Sequence, residues 1–244
     1  MRQNRRSALV LSLPLALVLV ACGEKRDAAP PPPRAPAAGH ITAGPPPSDS
    51  LHDADVAAQG AGLPAGYFAQ LDTSTAKITD VSYSPAGTGR WEVRTGPAHL
   101  LYMRHDTASV HYTLSATFEQ LEKPAHPEAF GVFWGGSALN KPAKQRYTYF
   151  LVRGDGKYMV KVRNGADTRT ITDWTAHVGI PRENSSGKGV YGISVTVDGK
   201  SARVSVNGIP VATVDAKDAP TKGIAGVRIN HNLHLNVTPA TIVR

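Results

Sequence analysis

Chemistry on a sugar or an ester would need carboxylates, histidines or a nucleophile spaced so that they meet in one cleft. The glutamates are Glu92, Glu119, Glu122, Glu128 and Glu183, outside the first 63 residues, with aspartates scattered between them. Two carboxyl groups about 5 Å apart can divide the roles of nucleophile and acid, but no acidic pair here alternates on a convincing strand. Glu119 and Glu122 come nearest, at the point where a strand gives way to a Pro-containing loop. His231 and His234 are three apart, and His105 and His111 six apart. An odd separation puts strand side chains on opposite faces, so the first pair converges only across a bend. Neither pair has the spacing of zinc ligands. Asp155 is accounted for by an Asp-Gly turn before calcium need be invoked. No phosphate loop, dinucleotide fingerprint or nucleophile elbow is present. The sequence therefore predicts no catalytic residue, no metal and no cofactor, and leans away from an enzyme.

Binding suits the residue types better. A sugar ring offers an apolar face that stacks on Trp or Tyr. Trp134 beside Gly135-Gly136, Trp174 within Ile171-Thr-Asp-Trp-Thr-Ala-His, and Tyr147 flank the expected loops and one sheet face. With Phe150, Met159, Arg153, Lys161 and Arg163 nearby, they outline a shallow groove for an anionic or neutral glycan. Trp91 and Trp134 also suit a core, which leaves Trp174 as the best exposed candidate.

The elements that must position these residues are short strands joined by Gly-containing turns, with no long stretch of helical period. The clearest is a hairpin, Tyr147–Arg163, turning at Gly154-Asp155-Gly156. With Asp155-Gly156 as a two-residue type I′ turn, Arg153 faces Tyr158, Leu151 faces Val160 and Tyr149 faces Val162. The opposite, mixed face then carries Thr148, Phe150 and Val152 against Arg163, Lys161 and Met159. Downstream, Tyr191–Val197, Ala202–Val206 and Ile209–Val214 form a meander through Asp198-Gly199-Lys200 and Asn207-Gly208, apolar on one face and polar on the other. Pro210 implies an edge strand or a bulge. Segments at Trp91, Leu100, Ser109–Phe118, Ala129–Trp134, Gly226–Ile229 and Leu233–Val237 bring the count to about ten or more strands, which points to a two-sheet sandwich.

The order Trp91-Glu-Val, Tyr112-Thr-Leu-Ser-Ala-Thr-Phe118, Phe130-Gly-Val-Phe-Trp134, the Tyr149–Tyr158 hairpin and Val204-Ser-Val-Asn-Gly208 resembles the concanavalin A-like jelly roll. Within that superfamily the chain is similar to laminin-G-like and keto-disaccharide-hydrolase-like domains of bacterial secreted proteins. The resemblance implies an all-β, two-sheet antiparallel jelly-roll sandwich over residues 64–244. Glucanases of the superfamily alternate two glutamates and an aspartate on one strand, in a pattern close to Glu-x-Asp-x-x-Glu, which this sequence lacks.

The N-terminal quarter is organised differently. Arg2, Arg5 and Arg6 precede an apolar run from Ala8 to Ala21, and the only cysteine, Cys22, follows. Fourteen apolar residues fall short of the roughly 20 that a spanning helix needs, and the layout is that of a secretory signal. Leu19-Val20-Ala21-Cys22 resembles the lipobox of bacterial lipoproteins. That resemblance implies removal of residues 1–21 and acylation of Cys22. With Gly23 instead of Asp after the cysteine, it also implies an outer-membrane anchor with the body on the periplasmic side. Residues 22–63, with Pro30–Pro33 and Pro45–Pro47 and few large apolar side chains, read as a disordered Pro/Ala-rich tether.

The chain carries a net charge of +8, and residues 64–244 hold 21 Lys or Arg against 14 Asp or Glu. That excess suits either solubility or a polyanionic envelope component, and no nucleic-acid partner is expected. The leading expectation is a lipid-anchored module that binds envelope carbohydrate without catalysis. A glycan-acting hydrolase and an assembly lipoprotein with a protein partner are the alternatives. Neither the ligand nor the oligomeric state is fixed by the sequence.

Overall fold

The computed structural model describes residues 55, 62–87 and 89–244. The signal 1–21, Cys22 and nearly all of the expected tether 22–63 lie outside the described residues. In chain order the strands are β1 (Phe68–Leu71), β2 (Val81–Pro85), β3 (Trp91–Thr95), β4 (His99–Tyr102), β5 (Thr107–Ala108), β6 (His111–Gln120), β7 (Ala129–Ser137) and β8 (Arg146–Arg153). They continue as β9 (Lys157–Asn164), β10 (Asp167–Ala176), β11 (Gly189–Asp198), β12 (Ser201–Val206), β13 (Ile209–Asp215), β14 (Gly223–Ile229), β15 (His234–Val237) and β16 (Thr241–Val243). A front sheet runs β1-β4-β14-β7-β8-β9-β10 with β5 on β14, and a back sheet runs β13-β12-β11-β6-β15-β3-β2 with β16 on β6.

The two sheets close on one another because their strands alternate. Along β6, Tyr112, Leu114, Ala116 and Phe118 are buried, while Thr113, Ser115, Thr117 and Glu119 point outward. β11 repeats this with Ile193, Val195 and Val197 inward. The front sheet answers with Phe130, Val132 and Trp134 from β7 and Phe150 and Val152 from β8, all in one core. The Asn207-Gly208 turn is the two-residue type expected, with φ of 49° and 80° and Val206 paired to Ile209. Pro210 lies on an edge strand and opposite a register shift between Val204 and Ser205, so both of its expected settings occur together.

The β8–β9 hairpin departs from expectation by one residue. Its loop has three residues, Gly154-Asp155-Gly156, with the Gly156 N–H donating to the Arg153 carbonyl at 3.1 Å and Gly156 at φ 85°. A left-handed glycine in the third loop position is the usual way such a turn closes. Arg153 therefore pairs with Lys157, Leu151 with Met159, Tyr149 with Lys161 and Tyr147 with Arg163. Because strand side chains have a period of two, the slip moves one whole strand set to the other face. Phe150 leaves the mixed face for the core, where it stacks on Tyr158 at 5.5 Å, and Trp134 is likewise fully buried. Neither can contact a ligand, contrary to the sequence reading.

A polar link crosses the sandwich. His99 on β4 is fully buried, its Nδ1 3.2 Å from the Pro97 carbonyl and its Nε2 2.6 Å from the Tyr83 hydroxyl on β2. A carbonyl only accepts, so Nδ1 donates and Nε2 accepts from tyrosine. Burial dominates and pushes the His99 pKa from 6.5 down to about 4.

Phe150→Ala should lower the unfolding free energy by about 3–5 kcal/mol, as for large-to-small core changes, in urea titration; a loss under 1 kcal/mol would restore the type I′ register. The His99 shift gives a pH signature as well. Between about pH 4 and 6.5 the unfolded chain binds the proton that folded His99 refuses, so stability should fall by roughly 3 kcal/mol as pH drops through that window. His99→Gln should remove that part of the slope.

Candidate functional site

The corrected register gathers the aromatic and cationic residues on the outer face of the front sheet. Tyr147, Tyr149, Leu151 and Arg153 of β8 stand beside Lys157, Met159, Lys161 and Arg163 of β9. Next to them lie Phe133 from β7, Leu100 and Tyr102 from β4, and Trp174 from β10; together these apolar groups form a second cluster, separate from the core between the sheets. Gly131 on β7 falls between Arg228 and Leu151 in this layer. A Cβ there would sit 2.1 Å from the Phe150 carbonyl oxygen, so the position admits only glycine.

Two arginines organise the face. Arg153 grips Asp155 with two hydrogen bonds, 3.2 Å to Oδ1 and 2.5 Å to Oδ2, and its guanidinium lies 4.2 Å over the Trp174 ring. Burial pushes the Asp155 carboxyl up, but Arg153 and Lys157 outweigh it and hold it below the usual range. Stacked on the indole and tied at its other edge, Arg153 fixes Trp174 in place. Trp174 keeps part of its surface in solvent.

Arg228, on β14, is buried in the floor of the face. It holds Asp72 bidentately at 2.9 and 2.6 Å, lies 3.4 Å from the Tyr147 hydroxyl and stacks 4.8 Å from the Tyr149 ring centre. Burial alone would pull the guanidinium pKa down; Asp72 more than reverses it. For Asp72, burial raises the pKa and Arg228 outweighs it, so the carboxylate stays charged. Burial pushes the Tyr147 hydroxyl up to about 12 and raises Tyr149 also, which leaves neither poised as a base at neutral pH. A cleft of about 320 Å³ opens beside the pair, lined by Gln70, Asp72, Thr73 and Pro142 among others.

Of the residues singled out in the sequence, Tyr147, Met159, Lys161, Arg163, Arg153 and Trp174 share this face, and Trp134 and Phe150 do not. Trp174 sits on a ten-residue edge strand and not in a loop. Arg228, Asp72 and Tyr149 were missed as site residues. A single cation inside Ala225-Gly-Val-Arg-Ile229 was a legible signal for the first. The acidic residues weighed for catalysis are elsewhere: Glu119 is engaged by Arg90 and Asn236, and Glu122 lies 4.0 Å from Arg94, all on the back sheet or its rim. His234 bonds Glu92 and His231 bonds Glu128, so the two histidines do not converge. Among the described residues no group of three or more His, Cys, Asp or Glu is placed to hold a metal ion.

Solved structures share this architecture. A carbohydrate-binding module, CBM66 from Bacillus subtilis, aligns with a TM-score of 0.53 at 9% identity, covering 76% of this chain and 99% of the module. A Bacillus subtilis protein of unknown function with a galectin-like fold aligns at 0.51 and 10% identity, covering 72% and 94%. The fold is a jelly-roll sandwich of the galectin and carbohydrate-module type. No protein-family model matches the sequence, and the search of curated proteins finds no match.

Removing Asp72 while leaving Arg228 buried should cost about 3 kcal/mol, as for other broken buried pairs. In a double-mutant cycle by thermal unfolding, Asp72→Ala combined with Arg228→Met should recover most of that loss; additive losses would mean that the pair is not coupled.

Proposed function

We propose that this chain is a non-catalytic carbohydrate-binding module carried on a lipid anchor of the bacterial envelope. The observation that carries the reading is the outer face of the front sheet, where Trp174 is locked by Arg153 beside Tyr149, Met159 and Lys161. A rigid aromatic at the edge of a polar, cationic surface is suited to stacking against a pyranose ring while charged groups orient its substituents. That one of the similar folds is a carbohydrate-binding module supports the reading. Acid–base chemistry is less well served, since the tyrosines on this face are shifted away from neutrality and its two carboxylates are engaged by arginine.

The anchor rests on the Leu19–Cys22 motif and the basic, apolar segment before it. In this reading residues 1–21 are removed, Cys22 is acylated, and residues 22–63 tether the 64–244 domain on the periplasmic side of the outer membrane. Two or three acyl chains give a firm hold, whereas one is marginal.

Glycan-array binding by the purified protein should identify carbohydrate ligands, and Trp174→Ala should weaken them about thirtyfold, the threshold of an interface hot spot. Sugar release that depends on a glutamate would replace the module with a hydrolase, and absence of glycan binding with a co-purifying protein would replace it with an assembly role. Intact-mass analysis of the membrane-extracted protein should show an acylated N-terminal Cys22; a bare cysteine in a soluble product would remove the anchor.

A further inference from the structure

The two outer faces of the sandwich treat their cations differently. On the back sheet Arg90 is paired with Glu119, Arg94 with Glu92 and Arg203 with Asp198. On the front sheet the carboxylates are already taken, Asp72 by Arg228 and Asp155 by Arg153 with Lys157 at 3.7 Å. Among the described residues Lys161 has no carboxylate partner, and Arg163 has only the more distant attraction of the Asp72 carboxylate that Arg228 already holds. Lys161 is half-buried across from Tyr149 and makes no ion pair or side-chain hydrogen bond among the described residues. Arg163 bonds only neutral oxygens, the Gly165 carbonyl at 2.7 Å and the Thr168 hydroxyl at 3.3 Å. Asp167, next to Thr168, alternates to the other side of β10.

The excess continues past the end of the strands. Lys141 and Lys144 are exposed and make no ion pair among the described residues, in the loop that joins β7 to β8. That loop borders the same face: Leu139 packs into the outer-face cluster, and Pro142 lines the cleft beside Asp72. From Lys157 to Arg163, β9 alone spans about 20 Å. Lys and Arg stems can lie along an aromatic floor while the charged heads stay at the surface, where a bound anion would supply the missing counter-charge.

We propose that the ligand of this face is an acidic polysaccharide, a chain of pyranose rings bearing carboxylates, with Lys161 and Arg163 receiving the acid groups and Trp174 the ring. The inference rests on the carbohydrate-binding reading above and narrows it. The arginine fork suits a carboxylate bidentately, and Lys141 and Lys144 extend the positive track along the polymer.

The test is titration of the full-length protein in detergent with polygalacturonate, a neutral dextran of similar length, and inorganic polyphosphate, at low and high sodium chloride. Polygalacturonate should bind with an affinity that falls steeply with salt, and dextran at least tenfold more weakly. Lys161→Gln with Arg163→Gln should reduce polygalacturonate binding at least tenfold and flatten the salt dependence, with thermal unfolding unchanged. Trp174→Ala should weaken polygalacturonate but not polyphosphate. Dextran binding equal to polygalacturonate, with the double variant unaffected, would overturn the acidic ligand and leave the carbohydrate module standing. Polyphosphate bound as tightly as polygalacturonate, with Trp174→Ala without effect on either, would overturn recognition of a sugar acid in favour of simple charge attraction. Failure to bind any of the three, or any glycan on an array, would overturn both readings.

Discussion

A β-strand can bury one face and offer the other, and in this sandwich the choice is made at a single loop. The extra residue in Gly154-Asp155-Gly156 sets Arg153 opposite Lys157, and from that pairing every side chain on β8 and β9 takes its side. Phe150, Val152, Tyr158 and Val160 turn inward to meet the back sheet; Tyr149, Met159, Lys161 and Arg163 turn outward together. Core and candidate site are thus not independent features. The same half-turn of backbone that completes the apolar layer also collects the cations beside the aromatics. Asp155 serves both, since it sits in the loop and also clamps Arg153 against Trp174.

The face so formed is supported from beneath. Tyr147, Tyr149, Phe133 and Leu151 are nearly inaccessible, so they act as a floor that holds the more exposed groups at fixed positions. Arg228 lies within that floor, bracketed by Asp72 and the tyrosines. A charge inside an apolar layer is tolerable only when its donors are met, and Asp72 meets two of them. The pairing also ties the stretch after β1 to the centre of the sheet, so the N-terminal edge and the face are energetically joined. The electrostatic contrast with the back sheet follows from composition at particular places: Glu92, Glu119 and Asp198 stand among cations on one side, and no equivalent carboxylate stands near Lys161 on the other.

The architecture was legible because alternation is strong where one side is buried. Ile193-Ser-Val-Thr-Val197 and the Asn207-Gly208 turn announced their strands and register without ambiguity. The β8–β9 hairpin was legible as a hairpin but not in register, since Gly154-Asp155-Gly156 admits a two- or a three-residue turn and β8 is apolar on both faces. Of the residues singled out, Tyr147, Arg153, Met159, Lys161, Arg163 and Trp174 lie on one face, and Phe150 and Trp134 lie in the core. Phe150 and Trp134 look like surface aromatics only if the register is wrong. β10 escaped because Asp167–Ala176 is mostly polar, without a clean alternation, and irregular, with shifts after Thr170 and Thr172. Asp72 has no local signature, being recruited by a residue 156 positions away.

Those irregularities on β10 have an effect beyond the site. An open sheet edge is a row of unpaired amides and carbonyls that invites a neighbouring molecule to add its own strand. The front sheet ends on a strand whose pairing is interrupted twice, and the back sheet ends on one that carries Pro210 opposite a bulge. Each interruption breaks the straight template that edge-to-edge polymerisation requires. Those two edges, β10 and β13, therefore make poor templates for a strand from another copy.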